Sequence, residues 1–294
     1  MDISQTLRGT GVAIITPFRS DKQVDFTALG RMIDFIIAEK AEYIVTLGTT
    51  GESPVVSKEE KADIIRFTYE RVAFRVPVVV GVGGNDTNAV VKELQSLPLE
   101  KATAVLSASP YYNKPSQEGL FQHYRVLAES SPKPILLYNV PGRTGRGLTA
   151  ATTLRIAREV KNIAGIKEAS GDMQLCMELL RDKPEDFLVV SGDDALALPQ
   201  IACGMSGVIS VVANAFPGDF SNMVRLCLQQ DFTEAKKIND RLMPSYDLMF
   251  SENNPAGIKA FLYEMGMIEN EMRLPLVPVS EALQEEIKTY LRNQ

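Results

Sequence analysis

Lys167 is a charged residue at the end of an apolar run. It follows Ile163, Ala164, Gly165 and Ile166, a sequence suited to a strand buried on both faces. Burial of an ammonium favours the neutral amine, and a neutral amine attacks ketones to form a Schiff base. The competing reading is a strand-end lysine that faces solvent and pairs with Glu168. Tyr138 and Tyr112 follow the two preceding apolar runs. Imine formation needs protons moved on and off a carbinolamine, and a phenol hydrogen-bonded to a hydroxyl can move them. The alternative for Tyr138 is a core aromatic with its hydroxyl tied to a carbonyl. The single histidine, His123, lies inside a helical pattern and reads as structural. A triad built on any other imidazole is therefore excluded, as is a multi-histidine metal site, and no metal is expected.

Other residues suit anion binding. Gly48-Thr49-Thr50-Gly51 presents two hydroxyls and several backbone N–H groups on a glycine-flanked turn that can hold a small carboxylate. Arg143, on a loop rich in proline and glycine, can clamp a second carboxylate with two parallel hydrogen bonds. An ordinary turn and a solvated arginine are the plain readings of these segments. Gly81-Val82-Gly83-Gly84 reads as a strand-to-loop turn, because neither GxGxxG nor GxxxxGK[ST] is present. Asp193 and Asp194 read as helix caps before they read as ligands of a divalent ion.

These residues need elements to position them. Short β-branched runs recur at 12–16, 43–47, 76–82, 104–107, 135–138, 164–167, 188–191 and 208–212. Helical patterns lie between them. Phe26, Leu29, Met32, Ile33, Ile36 and Ile37 recur at steps of three and four. Ser57 and Glu60 form a capping box ahead of Ala62, Ile64, Ile65 and Phe67, Ser116 opens another helix, and 149–160 fills a further one. The link between the last two runs has room for a short helix only, near 195–203. Eight strands alternating with helices predict an α/β fold, a (β/α)8 TIM barrel whose strand ends carry the chemistry. An open doubly wound sheet is the competitor, but its usual glycine-rich turn is missing after the first strand. After Pro217 the alternation stops. Helical patterns at 220–229, 233–250, 256–267 and 279–292 predict a C-terminal helical extension on the barrel's side, which could also supply an oligomer contact. The expected division is a catalytic barrel at 1–217 and a helical unit at 218–294.

Composition narrows the partners. A net charge of −6 argues against a general binder of nucleic acid or of membrane surfaces. Three separated cysteines, with no CxxC pair and no signal-peptide pattern, suggest a reduced, cytoplasmic protein. No apolar stretch is long enough for a membrane-spanning helix.

In chain order, GTTGES at 48–53, PYYNKPSQEGL at 110–120, YNVPGRTG at 138–145, GIKEASG at 165–171, SGDD at 191–194 and GVISVVAN at 207–214 resemble the dihydrodipicolinate synthase family. That family lies within the N-acetylneuraminate lyase superfamily of pyruvate-dependent class I aldolases. The resemblance implies condensation of pyruvate with L-aspartate 4-semialdehyde to 4-hydroxy-tetrahydrodipicolinate, on the route to diaminopimelate and lysine. Lys167 resembles the imine-forming lysine. Tyr138 resembles the proton-transfer tyrosine, with Thr49 bridging it to Tyr112, a tyrosine that family members take from a neighbouring subunit. Thr50 resembles the residue that holds the pyruvate carboxylate, and Arg143 the one that binds the carboxylate of the semialdehyde. Gly192 and Ile209 would line the pocket through backbone groups.

A homotetramer built as a dimer of dimers is implied, with no organic cofactor. Gly142 departs from the serine frequent before the family's arginine. Ser53, Asn85 and Tyr111 match the family's allosteric lysine site, where Lys58, Lys61 and Ala89 replace two histidines and a carboxylate. Two added cations and a missing anion predict weak or absent inhibition by lysine. The alternatives are a sialic-acid-lyase-like or other 2-keto-3-deoxy acid aldolase, and a non-catalytic keto-acid sensor. The sialic acid lyases lack the RTG loop that carries Arg143.

Overall fold

Valine- and isoleucine-rich runs form strands β1 Gly9–Ala13, β2 Tyr43–Thr46, β3 Val78–Gly81, β4 Ala104–Ala108, β5 Ile135–Asn139, β6 Ile163–Glu168, β7 Leu188–Ser191 and β8 Gly207–Ser210. The computed structural model describes residues 2–293. Each strand pairs in parallel with the next, and β8 returns to β1 to close a barrel. Helices connect the strands, so the expected (β/α)8 barrel is the architecture found. The link from β7 to β8 holds only the short helix Ala197–Ala202, as the spacing predicts.

The first strand lies earlier than the apolar run at 12–16 suggests. It begins at Gly9, and its glycines make room for a neighbour: a Cβ on Gly11 would fall 2.1 Å from the Tyr43 ring. Ile14 and Ile15 are buried but lie past the strand, where Asn214 accepts from the Ile15 N–H and donates to the Ala13 carbonyl. Burial, which made the run look like strand, is equally satisfied in this loop.

Alternation along the strands sorts side chains into two layers. On β5, Ile135 and Leu137 pack toward the helices, whereas Leu136 and Tyr138 join the barrel interior with Val45, Leu106, Val190 and Ile209. A short helix not expected from the sequence, Ile3–Thr6, packs against β6, and Leu7 behind it enters the interior layer.

The helix Pro217–Leu228 packs against β1 and β8, filling the eighth helical position of the barrel. Phe232–Phe250, Ala256–Glu264 and Glu281–Arg292 follow. This extension is anchored to the barrel at more than its side. Glu52 and Lys259, both fully buried, form an ion pair. Arg273 donates from Nη1 and Nη2 to the two carboxylate oxygens of Glu60 at 2.7 and 2.6 Å, and to the carbonyls of Lys22 and Val55. Glu60 completes the capping box with Ser57 on the helix Lys58–Val72, and the Arg273 hydrogen bonds draw its carboxyl down to about 2.

Candidate active site

The C-terminal ends of parallel strands form the mouth of such a barrel, and strand register decides what meets there. Lys167 on β6 pairs with Tyr138 on β5 and with Val190 on β7. Both neighbours face the interior, so Lys167 does too. Lys167 is 4% exposed, and its ammonium sits 4.4 Å from the centroid of the Tyr138 ring. Among the described residues it makes no ion pair. Glu168 instead accepts from Asn139 Nδ2 at 2.8 Å and from the Ser170 N–H at 2.7 Å, and burial raises its pKa. The pairing of Lys167 with Glu168 at a solvated strand end is therefore not what the structure shows. Gly192 is required beside it: a Cβ there would fall 2.6 Å from Ala169 Cβ and 2.8 Å from Lys167 Cε.

Lys167, Tyr138, Thr50, Arg143 and Gly192 line one cavity of about 790 Å³, together with Asn254 of the helical extension. A second cavity of about 570 Å³ adjoins it, and Tyr138, Val140, Arg143 and Asn254 belong to both. Thr49, Ser53, Lys61 and Tyr111 line the second one. The Gly48–Gly51 turn between the cavities is held by its own backbone: Gly51 N–H donates to Gly48 O, and Glu52 N–H to Thr49 O. Leu47 and Glu52 flank it at φ 56° and 54°, the left-handed backbone that non-glycine residues enter only where the surroundings enforce it. Thr16 Oγ1 donates to Gly51 O, and the buried Glu52–Lys259 pair pins the far end.

Not every expected residue joins this group. Tyr112 stands 89% exposed in the loop beyond β4, at φ 71°, and lines neither cavity. Among the described residues no hydrogen bond joins Thr49 to Tyr138 or Tyr112, so a single chain does not assemble the expected relay. Ile209 is buried in the barrel interior without lining either cavity. Lys58 and Asn85 also lie off both cavities, and Lys61 donates to Glu93 Oε1 at 2.6 Å, which offsets the cation expected there. Asp193 does cap the turn before the short helix, accepting from the Ala195 and Leu196 N–H groups. Asp194 does not: it is buried and accepts from the Val211 and Val212 N–H groups beyond β8, and desolvation pushes its pKa up to about 6. His123 is buried in the helix Gln117–Ser130, with Nδ1 2.9 Å from Thr87 Oγ1, and desolvation lowers it to about 4.

The sequence reading passed over Asn254, Glu52 and Lys259. Asn254 Nδ2 donates to Thr50 Oγ1 at 3.0 Å. Arg143, exposed on the short helix Pro141–Thr144, donates from Nη2 to Asn253 Oδ1 and Asn254 O at 3.1 Å each. Lys259 also donates to Glu271 O at 2.9 Å and lies 4.4 Å from the Phe18 centroid. Burial lowers its pKa to about 8 against the opposing pull of Glu52. A signal for Lys259 was available. It interrupts the apolar stretch Ala256–Leu262, as Lys167 interrupts its own.

The arrangement can hold a small keto acid: an amine for the ketone, a tyrosine ring beside it, a hydroxyl turn for the carboxylate and a guanidinium at the entrance. Comparison with known proteins agrees. The profile of the dihydrodipicolinate synthetase family matches residues 6–294. A 4-hydroxy-tetrahydrodipicolinate synthase of Parabacteroides distasonis is 49% identical over 286 residues, covering 97% of this chain and 96% of that protein. The crystal structure of a dihydrodipicolinate synthase from Thermotoga maritima superposes with a TM-score of 0.95 at 38% identity, covering 98% of each chain. A chloride-inhibited dihydrodipicolinate synthase from Acinetobacter baumannii, complexed with pyruvate, gives a TM-score of 0.95 at 38% identity, covering 98% of this chain and 99% of that one. The chain belongs to the dihydrodipicolinate synthetase family.

Proposed function

We propose that this protein condenses pyruvate with L-aspartate 4-semialdehyde to give 4-hydroxy-tetrahydrodipicolinate, with Lys167 as the covalent nucleophile. The observation that carries the assignment is a buried Lys167 without a carboxylate partner, set over Tyr138 in a cavity that also contains Thr50. The Lys167 amine adds to the pyruvate ketone, the carbinolamine loses water, and an imine forms. Loss of a methyl proton gives the enamine, whose carbon bonds to the aldehyde carbon of the second substrate. That substrate's own amine then displaces Lys167 and closes the ring.

Thr50 and the adjoining backbone N–H groups hold the pyruvate carboxylate, and Arg143 holds that of the semialdehyde. The backbones of Gly192 and Ile209 complete the wall beside the imine. Tyr138 transfers the protons, with Thr49 linking it to Tyr112 of a neighbouring subunit. An exposed tyrosine at a positive φ, outside both cavities of its own chain, favours that crossing over a role within one subunit. The corresponding assembly is a homotetramer, a dimer of dimers, working in the cytoplasm. The expected division at 217/218 falls at the start of the helix Pro217–Leu228, which packs as the barrel's eighth, so the barrel unit extends to 228 and the helical unit follows it. No described helix is long and apolar enough to cross a membrane.

Borohydride treatment with pyruvate is expected to add a covalent mass to Lys167 and none to a Lys167→Ala variant; labelling at another residue would refute the assignment. Ser53, Lys61 and Tyr111, which share one cavity, are the core of an effector site, with Lys58 and Asn85 outside that cavity; free lysine binds it poorly, since Ala89 supplies no carboxylate and Glu93 is already paired with Lys61. Half-inhibition at micromolar lysine in a steady-state assay would overturn that expectation.

A further inference from the structure

The proposed mechanism leaves Asn254 unused, although it touches the carboxylate turn directly. Asn254 is 4% exposed and Thr50 2%. A threonine hydroxyl carries one proton and two lone pairs. With Asn254 Nδ2 donating to Thr50 Oγ1, one lone pair is occupied, and the buried Asn254 Oδ1 is left without a partner among the described residues. Among the described residues the Thr50 hydroxyl donates to no protein acceptor, so its proton remains for whatever occupies the cavity it shares with Lys167. A carboxylate, which only accepts, fits that hydroxyl; a neutral group gains much less from it. The contact is held in register from both sides. Five residues on, Lys259 is ion-paired with Glu52, two residues beyond Thr50. Arg143 holds the neighbouring backbone through Asn253 Oδ1 and Asn254 O.

We propose that Asn254 is a positioning residue that fixes the Thr50 hydroxyl as a donor, so that the helical extension sets the preference of the Lys167 site for ketones bearing a carboxylate. The inference rests on the reading of Lys167 and Thr50 given above. It separates from a packing role because aspartate has nearly the shape of asparagine and the opposite hydrogen-bonding character. An aspartate at 254 would accept the Thr50 proton and set a negative charge beside the anion.

The experiment is borohydride trapping on the full-length protein, titrated with pyruvate and, separately, with hydroxyacetone as a neutral ketone. Wild-type protein is expected to label at Lys167 with pyruvate. If it does not, the proposed function fails and this inference with it. In Asn254→Asp the half-saturating pyruvate concentration is expected to rise about tenfold or more, in line with loss of a hydrogen bond to a charged group, with hydroxyacetone labelling unchanged. Asn254→Ala is expected to raise it less than Asn254→Asp does. In a Thr50→Val background, adding Asn254→Ala is expected to change it by less than about twofold, because coupled residues are not additive. If wild type labels but Asn254→Asp is milder than Asn254→Ala, or pyruvate and hydroxyacetone weaken together, Asn254 is structural. Either result overturns the inference alone.

Discussion

Two lysines are buried among the described residues, and their surroundings differ in one respect. Lys167 and Lys259 are 4% and 0% exposed, and each ammonium lies 4.4 Å from an aromatic centroid, of Tyr138 and Phe18 respectively. Lys259 has a carboxylate, Glu52, and a carbonyl, Glu271 O. Lys167 has neither. A buried cation that is fully partnered ties elements together, whereas one lacking a counter-ion stays available to react. Burial and an aromatic neighbour are shared by both lysines, so what sets Lys167 apart as the proposed nucleophile is that it has no bonded partner among the described residues.

The largest effect expected is catalytic. Lys167→Ala should lower kcat by about 10³-fold or more and abolish trapping, whereas Lys259→Met, if folded, should still label at Lys167. A borohydride adduct on Lys259 would break the contrast. Stability should run the opposite way. Lys259→Met leaves Glu52 buried without its cation and is expected to cost about 3–5 kcal/mol in urea unfolding, with part recovered by adding Glu52→Gln. Lys167→Met removes a cation that makes no ion pair among the described residues and feels the buried Asp194 carboxylate only through space, and is expected to cost much less than Lys259→Met does. A loss of several kcal/mol in Lys167→Met would mean that the two sites are alike.

Tyr112→Phe sharpens the chemical side of the contrast. It should lower kcat about 10²-fold with an unchanged melting temperature, because the side chain is exposed in its own chain. Unchanged turnover would remove it from the relay. The smallest effect concerns pH. His123 has a folded pKa of about 4 against an ordinary 6.5, so the unfolded chain binds more protons between those values. Stability should fall by roughly 2–3 kcal/mol as pH drops from 6.5 to 4, and His123→Gln should flatten that slope. An unchanged slope in His123→Gln would show that the imidazole is not its source.

The barrel was legible because its strands are short apolar runs at regular spacing, and because Lys167 breaks one of them. Parity then brings Tyr138 and Lys167 to the same face, a consequence of register that the sequence implies once the barrel is accepted. Strand 1 was misplaced by several residues because burial in a loop and burial in a strand leave the same hydrophobic signature. Asn254 was invisible for another reason: its meaning depends on a contact with Thr50 across 204 residues, and nothing local in Asn253-Asn254-Pro255 announces it. Lys259 also interrupts an apolar stretch, but on a helix one face usually meets solvent, so local sequence does not imply its burial. Tyr112 was read from its motif, but the crossing it is assigned lies outside any single chain.

That 204-residue contact has a consequence during synthesis. A ribosome adds about 5–20 residues per second, so Thr50 emerges roughly 10–40 s before the asparagine that meets its hydroxyl. Strands 1 to 8 are complete by Ser210, before Asn254 is made, so the growing polypeptide holds Thr50 without the donor that meets it in the finished fold. If Asn254 positions Thr50 as proposed, the acid-binding turn is completed only by the last quarter of the chain to be made.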